Sequence, residues 1–154
     1  MILSFGKKHV GKSLELLVLK EPDYIKWMLE QKNPGPAMKR AQDEAKRLIA
    51  KFDAMPLTKN CYGHTGSPHP ATRCTVYGNN VRGPYWWCDA CNPYQSGANP
   101  GKLQEVRSYG QALRHIAIFC GGRVSDYKSL IRDLAEAKGL PPRVGEKQAQ
   151  AFFA

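Results

Sequence analysis

A chain of 154 residues has room for one domain, or for two very small ones sharing a core, and its apolar fraction of 42% excludes wholesale disorder. Its formal net charge of +10 comes from 12 basic against 7 acidic residues in positions 1–60 and 11 against 6 afterwards, so no single basic tail explains it. Such an excess favours acidic partners, nucleic acid first among them, although a solvated basic surface has the same composition.

The opening MILSFGKKHV has too few apolar residues for a signal peptide, and no stretch approaches the roughly 20 apolar residues that span a bilayer. The expectation is a cytoplasmic protein without a membrane partner. Its five cysteines are then thiols or metal ligands rather than disulfides.

Ile2–Phe5 reads as a short strand running into a basic turn bounded by Gly6 and Gly11. Ser13 can cap a helix through about Lys20, and Pro22 opens a second helix carrying Tyr24, Ile25, Trp27, Met28 and Leu29. After Asn33-Pro34-Gly35-Pro36, residues 37–54 have the 3.6-residue period of an amphipathic helix, with Met38, Ala41, Ala45, Leu48, Ile49 and Phe52 on one face. Residues 55–101 are rich in Gly, Pro, Asn and aromatics and hold four of the cysteines. There Thr72–Gly78 and Pro84–Cys88 read as two strands joined by a turn around Asn79, Asn80 and Gly83. Tyr109–Cys120 is a helix with Leu113, Ile116, Ala117 and Cys120 inward, stopped by Gly121-Gly122. Ser125 caps the next, which runs to Gly139, and Gly145–Phe153 adds a short last one. The expected fold is α+β: mostly helical, with a short N-terminal β element and a central zinc-ribbon-like hairpin. Segments 1–54, 55–101 and 102–154 form one compact unit.

Cys61-Tyr-Gly-His64 and Cys88-Asp-Ala-Cys91 are two pairs with two-residue spacing, separated by 23 residues. Each such turn aims two side chains at one point, and two turns supply the four tetrahedral N/S ligands of a structural Zn²⁺. The predicted metal ligands are Cys61, His64, Cys88 and Cys91, with Cys74 or His69 as alternatives to His64. Cys74 alternates with its neighbours inside a strand, and Cys120 and His115 lie on a helix as ordinary core or surface residues. Four ligands fill the coordination shell, which favours a structural over a catalytic zinc, and Asp89 between two ligands is placed to orient the site.

Gly6-Lys7-Lys8-His9-Val10-Gly11-Lys12-Ser13 fits G-x-x-x-x-G-K-[ST] at every fixed position. A nucleotide-binding domain also needs buried parallel strands and an acidic residue for Mg²⁺, and these are missing, so no nucleotide cofactor is expected. The same segment, from Phe5 to Leu14, followed by Pro22-Asp23-Tyr24-Ile25-Lys26-Trp27, resembles the small C-terminal domain of exonuclease X-like proteins over about residues 2–30. The chain as a whole, with its Tyr-Trp-Trp-Cys-Asp-x-Cys-Asn-Pro segment, resembles small phage or prophage zinc-ribbon proteins. That resemblance brings no activity with it. The exonuclease domain proper is absent, so the first resemblance implies an accessory module linked to DNA replication, recombination or repair, with Gly6 and Gly11 shaping a turn and Tyr24 and Trp27 packed under it.

Lys7, Lys8 and Lys12 on the first turn, and Arg73, Arg82 and Trp86 on the hairpin, are the candidate nucleic-acid contacts, since cations meet phosphates and rings stack on bases. Alternation puts Trp86 and Trp87 on opposite faces, so one of them belongs to the core. The expected function is a zinc-stabilised nucleic-acid-binding accessory protein, with DNA favoured over RNA. The alternative is a phage-encoded adaptor or inhibitor that binds a host protein. No carboxylate pair or nucleophile–base set marks an enzyme.

Overall fold

The computed structural model describes residues 1–63, 69–94 and 102–154. The described residues form six helices and three strands, an α+β arrangement dominated by helix. None of these helices is long and apolar enough to cross a membrane.

α1 (Leu14–Lys20) starts where Ser13 was expected to cap it: the Ser13 hydroxyl accepts the Leu16 N–H at 3.1 Å. The N-terminal strand expected before it is reduced to a single bridge between Ile2 and Ser13. Leu3 donates to the Lys12 carbonyl and Gly11 to the Leu3 carbonyl, both at 2.9 Å, so these residues close a loop on themselves instead of meeting another strand. Gly6 and Gly11 turn that loop with φ of +82° and +86°, which side-chain-bearing residues rarely adopt.

α2 (Pro22–Leu29) follows almost at once, and its first residue creates a problem that the tertiary structure solves. Pro22 has no N–H for the Val18 carbonyl four residues earlier. The hydroxyl of fully buried Tyr109 donates to that carbonyl at 2.7 Å instead. α3 (Pro36–Ala54) buries Ala41, Gln42, Ala45, Leu48 and Phe52, with Met38 and Ile49 at the margins. Gln42 is polar but satisfied, donating to the Met28 carbonyl at 2.8 Å and the Gln31 carbonyl at 3.1 Å at the end of α2. The last carbonyls of α3 are closed by Lys138, which donates to Phe52 and Met55 at 2.8 and 2.7 Å. Burial lowers the pKa of that ammonium group.

β1 (Arg73–Tyr77), β2 (Asn80–Trp87) and β3 (Leu103–Val106) make an antiparallel sheet in the order β2-β1-β3. β2 starts earlier than the sequence suggests: Tyr77 pairs with Asn80 and Thr75 with Tyr85, and the irregularity between them includes Gly83 at φ +64°. Cys74, Val76, Val81, Trp86 and Val106 turn one side of the sheet toward the helices.

α4 (Tyr109–Phe119) is capped by Ser108, whose hydroxyl accepts the Gln111 N–H at 3.1 Å. Gly121 and Gly122 end the helix, both at positive φ. Its buried stripe includes Leu113, His115, Ile116 and Cys120, whereas Ala117 is exposed. α5 (Val124–Glu136) starts two residues too early for Ser125 to cap it: Arg123 occupies the cap position and its guanidinium pairs with Asp126 at 2.7 Å. α6 (Glu146–Phe153) lies across α1, and the Glu146 carboxylate accepts both the Ser13 hydroxyl and the Ser13 N–H, the latter at 3.0 Å. One apolar cluster draws on all three segments, from Leu17 and Phe52 through Cys74 and Val81 to Ile116 and Leu130.

Tyr109→Phe keeps the ring but leaves the Val18 carbonyl buried without a donor. It should cost about 1–3 kcal/mol in urea unfolding with little change in the slope against urea. Stability equal to that of the parent would show that the carbonyl finds another donor.

Candidate metal centre

The segment before β1 folds back on itself. Cys61 donates its N–H to the His69 carbonyl at 2.6 Å and Ala71 donates to Lys59 at 2.8 Å, a pairing that includes the Asn60–Pro70 bridge. Tyr62 then donates to the Trp86 carbonyl at 2.6 Å, fastening this loop to the end of β2. Cys88 and Cys91 follow β2 directly. The sulfurs of Cys61, Cys88 and Cys91 thereby lie within 4.8 Å of one another, and these three cysteines can hold a metal ion. A tetrahedral zinc with Zn–S of about 2.3 Å needs sulfurs about 3.8 Å apart, so the donor set fits.

The thiols are electrostatically linked. Burial raises the Cys61 pKa, but the backbone N–H groups of Cys88 and Gly63 and the neighbouring thiols more than offset it, leaving Cys61 below its ordinary value. Loss of hydration, together with hydrogen bonding to Cys61 and Cys88, pushes Cys91 up to about 11. A bound cation reverses that second tendency by stabilising the thiolates.

A lattice of charged groups supports the second turn. Arg73 donates to the Cys91 carbonyl at 2.5 Å and pairs with Glu105 at 2.7 Å. Arg107 bridges Glu105 and Asp89 at 2.7 and 2.8 Å, and Thr72 also donates to Asp89 at 2.8 Å. Those bonds to Arg107 and Thr72 hold the Asp89 carboxyl below its usual pKa. Asp89 thus ties the turn between two ligands to β1 and β3. On the same face of β2, the Trp87 indole donates to buried Thr75 at 2.8 Å, and Tyr62 lies 5.7 Å from Trp87 and 5.2 Å from Tyr85.

The predicted ligands therefore divide. Cys61, Cys88 and Cys91 are brought together, and His64 lies outside the described residues. Cys74 is fully buried on the core side of β1, pushed up to about 12 chiefly by burial, and does not join the three sulfurs. His69 is exposed and contributes its backbone carbonyl to Cys61. Cys120 and His115 are buried in the core cluster and on the inward side of α4 respectively.

Of the expected nucleic-acid contacts, Lys7 and Lys8 are exposed and Lys12 is half-buried, and none of the three forms an ion pair among the described residues. Arg82 is exposed and likewise unpaired among the described residues, while Arg73 is engaged by Glu105 and Cys91. Trp86 packs against the core cluster. Gly63, Arg107 and Thr72 were not legible as site residues, because sequence spacing marks ligands and not the groups that brace them.

This is an α+β chain with a three-cysteine candidate metal centre at one end of a small antiparallel sheet. No protein-family model, no curated protein and no solved structure matches it.

A Cβ on Gly63 would stand 3.0 Å from the Cys91 sulfur and 3.3 Å from the Trp87 ring. Gly63→Ala should therefore weaken cobalt(II) binding, read from thiolate charge-transfer absorption, while leaving helical circular dichroism intact. An unchanged cobalt titration would mean that the two turns are not held this closely.

Proposed function

We propose that this chain is a zinc-stabilised nucleic-acid-binding accessory protein acting in the cytoplasm of a host cell. The carrying observation is the convergence of Cys61, Cys88 and Cys91 at the tip of a sheet within a chain of net charge +10. In this reading the ion is a structural Zn²⁺ in a zinc-ribbon-like setting and His64 is its fourth ligand. The two-residue spacing of Cys61 and His64 supports that choice, as does the commitment of Cys74 to the core. The basic turn of Lys7, Lys8 and Lys12 meets phosphates, Arg82 adds a second cation, and Arg73 serves the site by bracing Cys91. The likeness of residues 2–30 to the exonuclease X-like C-terminal domain inclines the reading toward DNA and toward replication, recombination or repair.

A second reading, an adaptor or inhibitor that binds a host protein, draws support from the apolar side chains exposed at the α4–α5 corner. Ile118, Phe119 and Val124 are 58%, 41% and 48% exposed.

Protein purified without chelator should carry one zinc per chain, and Cys88→Ser should release it and sharply lower the melting temperature. His64→Ala should also loosen zinc, whereas Cys74→Ala should destabilise the core with zinc retained. Elemental analysis giving well under half an equivalent would overturn the metal assignment. Log affinity for DNA should fall linearly with log salt, by roughly 0.7–0.9 per phosphate neutralised, and replacing Lys7, Lys8 and Lys12 with Ala should flatten that slope. Absence of binding at low salt, with a host protein retained after nuclease treatment, would favour the second reading.

A further inference from the structure

Of the three tryptophans, Trp27 is the one with an open ring. Trp86 packs on the core, and the surface cleft it lines sets Asp133 and Glu136 against one cation, Lys59, an acidic balance that disfavours phosphate. Trp87 is half-buried and its indole N–H is used by Thr75. Trp27 is 49% exposed, although its neighbours Ile25 and Met28 on α2 are fully buried.

The open indole is also braced. Tyr24 lies 5.6 Å from Trp27 with the two rings tilted by 31°, and His9 meets Tyr24 edge-on at 4.6 Å. His9 is only 3% exposed, so this ladder is anchored in the protein at its inner end. The Tyr24 hydroxyl comes within 3.9 Å of where a Gly6 Cβ would stand, which puts the ladder beneath the basic turn. On that turn Lys7 and Lys8 are exposed, Lys12 is half-buried, and none of the three forms an ion pair among the described residues. Burial lowers the pKa of His9 most, Glu21 and Asp23 oppose that, and Lys12 and Lys8 add to it, so the lysines stand close to the inner end of the ladder. Unpaired cations beside a half-open ring on a fixed backing match the requirements of a strand whose bases are free to leave their own stack. In a duplex the bases stack on each other and present no face to the indole.

We propose that Trp27 and the Lys7–Lys12 turn form a single-strand-binding site, in which the indole stacks on one base and the lysines take the flanking phosphates. This rests on the nucleic-acid reading above and gives it a strand type and a stacking residue. Trp27 replaces Trp86 in that role.

The test is fluorescence anisotropy of a labelled oligodeoxythymidine, and of a duplex of the same length, with the zinc-loaded full chain at several salt concentrations. Trp27→Ala should weaken single-strand binding roughly 5- to 150-fold, the range that one base–aromatic stack accounts for, with the salt slope unchanged. Trp27→Phe should recover part of that loss. In the parent, the oligonucleotide should quench tryptophan emission, and Trp27→Phe should abolish the quench although Trp86 and Trp87 remain. An unchanged melting temperature confirms that these variants fold. If the parent binds and Trp27→Ala binds equally well, the inference fails while the nucleic-acid reading stands. It fails equally if the loss appears in Tyr62→Ala or Tyr85→Ala instead, or if duplex binds more tightly. If the parent binds neither probe at low salt, the nucleic-acid reading itself falls.

Discussion

Three cysteine sulfurs within 4.8 Å of one another are an odd number of thiols in one place, and one disulfide cannot satisfy all of them. A cation that draws off their protons can. The local backbone is arranged around that convergence: Cys61 bonded to His69, Tyr62 to Trp86, Gly63 against Cys91, and Arg73 on the Cys91 carbonyl. Beyond these and the packing of the Tyr62 ring on Tyr85 and Trp87, little holds residues 57–63 to the end of β2, since much of this stretch is exposed and only Cys61 is buried. A metal ion held by these three cysteines would stand in for the apolar core that a turn-rich segment cannot build.

The helical part supplies the platform. β1 is central in the sheet, and its inner residues Cys74 and Val76 belong to the same apolar cluster as α1, α3 and α5. Its outer residues Arg73 and Thr75 hold the cysteine turn and Trp87. Each of the two faces therefore has its own task, and the thiols are tied to the helices through the apolar side of the whole sheet, to which β2 adds Val81 and Trp86 and β3 adds Val106. Long-range polar closures have the same logic: Tyr109 covers the carbonyl that Pro22 leaves open, and Lys138 covers the end of α3.

Much of the helical framework was legible because its signals are local. Ser13, Pro22, Gly121-Gly122 and Gly139 act within a turn of where they stand, and the buried face of α3 repeats with the helical period. β3 was not legible: Leu103 and Val106 are buried three residues apart, which is not the alternation of a half-buried strand. Ser125 looked like a cap, but the preceding glycine turn delivers the chain into α5 before reaching it. In the site, the spacing of Cys61, Cys88 and Cys91 was enough to group them, because two-residue turns fix where their side chains point. Arg73 read as a surface cation because its partner Glu105 lies on the strand that went unseen. Alternation established that Trp86 and Trp87 face opposite ways, but only the packing of the sheet on the helices decides that Trp86 faces the core.

The central claim is that the cysteine cluster binds zinc with a fourth ligand from the intervening loop, and zinc-edge X-ray absorption on the full chain examines it most directly. The account predicts three sulfur neighbours at about 2.3 Å and one nitrogen at about 2.0–2.1 Å. A shell of light atoms alone, or one with fewer than three sulfurs, would contradict it.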